Sequence, residues 1–178
     1  MIDQSGDSRR RAAKVKIVVM DCDGVLTDGT VIILPNGDEA KGFNEKDGHA
    51  IRMLQRAGTI VSIISGRQSS AVAARAAELG VSRLRQGVAL KADAISEILS
   101  EEGLGNTELC YIGDDINDIP VLRLAGLAVA VSDAAEDAKR FAHLITSSPG
   151  GRGAVREVIE FILDCQNRWS DAIAWYLR

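Results

Sequence analysis

The residues best suited to chemistry are acidic and fall in short clusters: Asp21-Cys22-Asp23-Gly24, then Gly113-Asp114-Asp115 with Asp118 close behind. Between them stand Ser65-Gly66-Arg67 and an isolated Lys91. Taken singly each is ordinary, because an aspartate after a strand usually serves as a turn or helix cap. Gathered on one edge of a sheet, they would set several carboxylates beside one hydroxyl and two cations. Mutual repulsion makes such a cluster costly unless a cation fills it. The cation expected is Mg2+, which is hard, prefers oxygen ligands and binds through one or two carboxylates plus a phosphate. The chemistry that fits is phosphoryl transfer. One aspartate can act as nucleophile and form an aspartyl-phosphate. A second carboxylate can protonate the leaving oxygen and later activate water. Ser65, its neighbouring backbone N–H groups and Lys91 can hold the phosphoryl oxygens as charge builds.

The elements that would position these residues alternate strand and helix. Residues 15–20 and 60–64 are continuous apolar runs of buried-strand type. Residues 30–34 (TVIIL) lead into Pro35-Asn36-Gly37-Asp38, so a hairpin is predicted to about residue 43. Asp47 is expected to cap a helix to about residue 57, stopped by Gly58. A helix to about residue 79 ends at Gly80, and a short strand covers 83–86. Residues 91–102 read as a helix stopped by Gly103. A strand at 109–112, a helix at 119–125, a strand at 127–131 and a last helix at 154–163 complete the pattern. Strands spaced by helices imply an α/β fold, a Rossmann-like, doubly wound, mostly parallel sheet with right-handed crossovers. Ligands bind such sheets at the carboxyl ends of the strands, where the polar clusters fall.

Composition narrows the classes of function. The chain has 178 residues, 46% hydrophobic and 26% charged, as in an ordinary globular domain. No apolar run approaches the ~20 residues of a membrane helix, and the polar start lacks a signal-peptide pattern. A net charge of −4 and 4% aromatic residues argue against nucleic-acid binding. Three widely spaced cysteines and two histidines indicate neither a disulfide framework nor a zinc site, and fit a reducing cytoplasm. Residues 1–14, with Arg9, Arg10 and Arg11, read as a flexible basic tail.

Asp21-Cys22-Asp23-Gly24-Val25-Leu26-Thr27, Ile64-Ser65-Gly66-Arg67, Lys91 and Gly113-Asp114-Asp115 with Asp118 resemble, in order, the four motifs of the haloacid dehalogenase superfamily. A narrower resemblance, across residues 15–164, is to the 3-deoxy-D-manno-octulosonate (KDO) 8-phosphate phosphatases. It is carried by DGVLTDG (23–29), FNEKDG (43–48), GDDINDIPV (113–121) and GGRGAVREV (150–158). The resemblance implies a haloacid dehalogenase-like fold with a β-hairpin flap after the first strand and no large cap domain. It implies that Asp21 is the nucleophile and Asp23 the general acid/base. Mg2+ would be held by Asp21, the Asp23 carbonyl and Asp114, with Asp115 and Asp118 supporting the metal and Lys91. Ser65 and Lys91 would bind the phosphoryl group. The substrate would be a small phosphorylated sugar acid, with a sialic acid or KDN 9-phosphate as the alternative. The assembly implied is a homotetramer in which the hairpin and the C-terminal segment reach neighbouring sites. Residues 165–178 lie outside the resemblance and read as a helical extension.

Arg67, Arg75 and Arg152 are candidates for the carboxylate and phosphate of a sugar acid, since arginine forks suit both. Gly66 belongs to the same phosphate loop. Asn44 and Asp47 could meet sugar hydroxyls or only shape the loop and cap the helix. Cys22, between two carboxylates, is expected to be a packed residue rather than a nucleophile. The segment VIIL (31–34) is apolar on both faces. Either a partner subunit covers it or it folds into the monomer's core. A receiver domain is disfavoured because the candidate third strand ends in Gln86-Gly87, not aspartate. A dinucleotide site fails because no G-x-G-x-x-G follows the first strand.

Overall fold

A computed structural model describes residues 1–177. In chain order the elements are β1 (Ile2–Asp3), α1 (Ser8–Ala12), β2 (Ile17–Asp21), β3 (Ile32–Ile33), β4 (Glu39–Ala40), α2 (Glu45–Arg56), β5 (Ile60–Ile64) and α3 (Ser70–Leu79). There follow β6 (Arg83–Arg85), α4 (Lys91–Glu102), β7 (Leu109–Gly113), α5 (Ile119–Leu122), β8 (Leu127–Ala130), α6 (Glu136–Lys139), β9 (Leu144–Ile145), α7 (Ala154–Cys165) and α8 (Trp169–Ala174).

Seven strands form one sheet in the order β1-β9-β8-β7-β2-β5-β6, parallel except for β1. The unbroken apolar runs arise because both faces of the central strands are covered. In β2, Val18 and Met20 pack with α2, α3 and α7, while Ile17 and Val19 pack with α4, α5 and α6. From β2 the chain winds outward to β5 and β6, then returns to the other side through β7, β8 and β9. The winding reverses between β2 and β7, which opens a crevice at their carboxyl ends. Asp21 and Asp114 stand there. The insertion after β2 is only the hairpin β3–β4, a separate two-stranded sheet.

Several expectations are corrected. Residues 1–14 are not a free tail. Ile2 and Asp3 pair antiparallel with Ile145 and Leu144, Ala12 is fully buried, and Asp3 accepts hydrogen bonds from Ser8 Oγ (2.7 Å) and Gly6 N (2.9 Å). The arginines there have internal partners: Arg9 pairs with Asp164, Arg10 with Asp7, and Arg11 with Asp7 and the Gly126 carbonyl. Asp47 does not cap α2. Asn44 does, accepting from Lys46 N at 2.8 Å and Asp47 N at 3.4 Å. The VIIL segment does not enter the monomer's core: Ile32 is 51% and Ile33 63% exposed. The helix expected over 119–125 closes at Leu122, where the chain tightens into i→i+3 bonding through Leu124 N to Val121 O.

Candidate active site

The carboxyl ends of β2, β5 and β7 converge on an open cleft of about 270 Å³ lined by Asp21, Asp23, Ser65, Gly66, Arg67, Asp114 and Asp115, with Gly29 and Asn117. A larger depression of about 710 Å³, bordered by Lys14, Lys16 and Arg168, lies at the opposite, amino ends of the strands and gathers no comparable carboxylate cluster. Chemistry, not volume, singles out the smaller one.

Asp21 ends the central strand and is 5% exposed. Lys91, the first residue of α4, projects its ammonium to 3.0 Å from Asp21 Oδ1 and 2.6 Å from Asp118 Oδ1. Asp118 is fully buried, and both its oxygens are occupied. Oδ1 also accepts from Tyr111 OH (2.6 Å), and Oδ2 accepts from Asp114 N (2.9 Å) and Asp115 N (3.3 Å). Asp118 thus ties Lys91 to the turn that carries Asp114. Asp115 caps that turn by accepting from Ile116 N at 2.7 Å.

Oxygens of Asp21, Asp114 and Asp118 lie within 4.8 Å of one another. Against three carboxylates stands one ammonium, so the cluster lacks positive charge. Two observations locate the deficit. Asp114 Oδ1 is buried without a hydrogen-bond partner. Burial, then the charge of Asp118, pushes Asp21 up to about 6 despite Lys91. Burial, then Asp21 and Asp118, pushes Asp114 up to about 8. Since Asp118 is saturated by protein donors, a hard divalent cation fits between Asp21 and Asp114. Burial alone would lower Lys91, but Asp21 and Asp118 outweigh it and hold the ammonium above the ordinary lysine range.

The loop after β2 is gripped closely. A Cβ on Gly24 would overlap the Asp114 carboxylate, and a Cβ on Gly150 would overlap the Gly24 carbonyl. Gly151 N donates to Val25 O at 2.8 Å. The GGRG segment therefore packs its backbone directly on the loop that carries Asp23. Ser65, 2% exposed, accepts from Arg67 N at 3.1 Å, which leaves its hydroxyl proton free for a ligand. Cys22 lies among buried core residues, and burial with Asp23 and Asp21 pushes its thiol up to about 12, as its expected packing role requires.

Asn44, Asp47 and Arg75 are not brought to the cleft. Asp47 is 1% exposed and accepts from Gly153 N (3.1 Å) and Arg156 N (2.7 Å), where it satisfies the start of α7. Arg75 bonds Glu78, Glu45 and the Asn44 carbonyl. Arg152 stands exposed at 3.6 Å from Asp28. Sequence reading missed two groups. Tyr111 was detectable as one polar tip in an apolar strand. Lys41, whose ammonium reaches Asp23 and Glu39, gave no local signal.

Residues 84–159 match the family model described as haloacid dehalogenase-like hydrolase. The 3-deoxy-D-manno-octulosonate 8-phosphate phosphatase of Escherichia coli is 39% identical over 168 residues, 94% of this chain and 89% of that protein. The crystal structure of the Moraxella catarrhalis phosphatase of the same name, in complex with magnesium ion, phosphate ion and KDO, is 37% identical with a TM-score of 0.93. It covers 96% of this chain and 98% of that one. The Yersinia pestis phosphatase structure is 40% identical with a TM-score of 0.90, covering 92% and 89%.

Proposed function

The chain belongs to the haloacid dehalogenase-like hydrolases, and on that premise we propose that it is a Mg2+-dependent phosphatase that converts KDO 8-phosphate to KDO and phosphate. The observation that carries the chemistry is the buried Asp21–Lys91–Asp118 arrangement beside the unpartnered Asp114 oxygen. The substrate rests on identity to the octulosonate phosphatases along nearly the whole chain.

Asp21, Asp114 and the Asp23 carbonyl would hold Mg2+, which would supply charge compensation for the phosphoryl oxygens and the attacking carboxylate. An Asp21 oxygen attacks phosphorus and forms the aspartyl-phosphate as the phosphorus–sugar oxygen bond breaks. Asp23 gives its proton to the departing sugar oxygen, then takes one from the water that attacks the aspartyl-phosphate. That second attack frees phosphate and restores Asp21. Two of the three Lys91 protons face Asp21 and Asp118, so the third serves the phosphoryl group with Ser65 Oγ and the Gly66 loop. Arg67, on the cleft wall, and Arg152, beside Asp28, offer charge to the sugar carboxylate.

The deciding assay is phosphate release from KDO 8-phosphate and from a sialic acid 9-phosphate, with Mg2+ and with EDTA. Strong, EDTA-sensitive preference for the octulosonate is the expected result. Preference for the nine-carbon ester would overturn the substrate and leave the site intact. In the cell, this reaction would feed lipopolysaccharide synthesis. The cytoplasm suits it because Cys22, Cys110 and Cys165 are all free. No helix of the described residues is long and apolar enough to cross a membrane.

The exposed Val31, Ile32, Ile33 and Leu34 support self-association through the hairpin, for which the resemblance to the octulosonate phosphatases suggests a homotetramer, whereas Gly150 and Gly151 pack on the Asp23 loop of their own chain. Ile32→Lys places a charge in that contact opposite Ala40. Light scattering after gel filtration should show a smaller species, with kcat/KM on the sugar phosphate reduced about tenfold (a loss of ~1.4 kcal/mol). A wild-type monomer with full efficiency would refute this assembly.

A further inference from the structure

The catalytic carboxylates are held in two different ways. Asp21 is fixed from the core by Lys91, and Asp118 by four donors from α4, β7 and the following turn. Asp23 has no such support. Among the described residues the one donor to its carboxylate is Lys41, which follows the last strand of the hairpin. The Lys41 side chain has no exposed surface. Its ammonium also lies 3.3 Å from Glu39, and Glu39 pairs with Arg67, next to the phosphate loop at Ser65-Gly66. The sequence Asp23–Lys41–Glu39–Arg67 therefore crosses the mouth of the cleft and ties the hairpin to both of its walls.

A buried ammonium with a fixed partner on its other side restricts the rotamer of the carboxylate it touches. Without it, Asp23 is a partly exposed side chain on a loop. We propose, building on the phosphatase reading above, that Lys41 is a positioning residue: it holds the Asp23 carboxylate in line with the leaving oxygen, so that the hairpin governs proton delivery. Lys41 need not touch the substrate for this role.

Leaving-group chemistry isolates the effect. A sugar alkoxide departs only if it receives a proton in the transition state, whereas p-nitrophenolate departs without one. The ratio kcat/KM reports events through loss of the leaving group, before the hydrolysis of the aspartyl-phosphate that both substrates share. Lys41→Met and Lys41→Arg would be assayed with KDO 8-phosphate and with p-nitrophenyl phosphate in Mg2+. For Lys41→Met, kcat/KM on the sugar phosphate should fall about 100-fold, the scale of a misplaced acid. On the aryl ester it should fall less than about threefold, on the same reasoning. Lys41→Arg, which keeps the charge, should recover most of the loss. Equal losses on both esters would show a structural role and overturn the proposal, as would no loss on either. The two readings fail separately. A wild type that spares KDO 8-phosphate but cleaves other alkyl phosphates refutes the substrate, whereas the alkyl-to-aryl ratio of the variants judges Lys41 on any alkyl ester.

Discussion

Asp21→Asn is expected to reduce phosphate release from KDO 8-phosphate by at least about 10⁴-fold, because it removes the carboxylate proposed to form the covalent intermediate. The same substitution should have a second, opposite effect on the metal-free protein. Asp21 and Asp114 are displaced upward, to about 6 and about 8, from an ordinary value near 3.9. The folded state thus binds more protons than the unfolded chain in that interval. By linkage, the contribution of these two carboxylates to wild-type stability in EDTA is fullest at low pH and declines as pH rises toward about 8, the reverse of a salt-bridged aspartate. Asparagine removes one of the repelling charges, so the variant should lose less stability over the same interval and melt above wild type at pH 8 in EDTA. Mg2+ should raise the wild-type melting temperature and flatten its pH dependence, because the ion binds only the folded cluster. Thermal melts at pH 5 and pH 8, with EDTA or Mg2+, read each point. A wild-type melting temperature that climbs with pH in EDTA would contradict the repulsion inferred from the cluster.

The parts of this molecule that were legible in the sequence are those set by short-range pattern. β2, β5, β7 and β8 show as apolar runs because helices cover both their faces. Lys91–Glu102 begins and ends where expected, since Gly103 adopts the left-handed conformation that closes a helix. The meeting of Asp21, Ser65, Lys91 and Asp114 follows from the parallel topology, which brings strand ends together. What escaped depends on distant partners. Asp47 looks like a helix cap, but its carboxylate serves backbone N–H groups 106 and 109 residues away. β1 has only two residues and exists because β9 offers an edge. Arg75 lies on the helix after the second motif, yet Glu78 and Glu45 draw it aside. Lys41 becomes relevant only when the hairpin folds over Asp23.

Asp118→Ala should be the most destabilising single change in the site, and the reason separates two roles for this residue. As a metal ligand, Asp118 would matter only when Mg2+ is bound. The geometry gives it a different task. Its oxygens receive the Lys91 ammonium, the Tyr111 hydroxyl and two backbone N–H groups, all away from bulk water. Alanine would leave a buried ammonium with Asp21 as its remaining partner and a buried phenol with none. Breaking a buried pair of this kind costs about 3–5 kcal/mol, or a fall in melting temperature of roughly 10 °C for a chain of this size. Asparagine should fare little better, because its amide would set a donor against Asp114 N–H, Asp115 N–H or the Lys91 ammonium. Tyr111→Phe, which removes one donor from an acceptor that keeps others, should cost about 1 kcal/mol. The deciding measurement is the melt in EDTA. If Asp118 supports the site, Asp118→Ala melts well below wild type with no metal present, and excess Mg2+ does not restore activity. If Asp118 is chiefly a ligand, the two proteins melt together in EDTA and diverge only in Mg2+. The first outcome is expected, because both oxygens of Asp118 are already engaged by the protein itself.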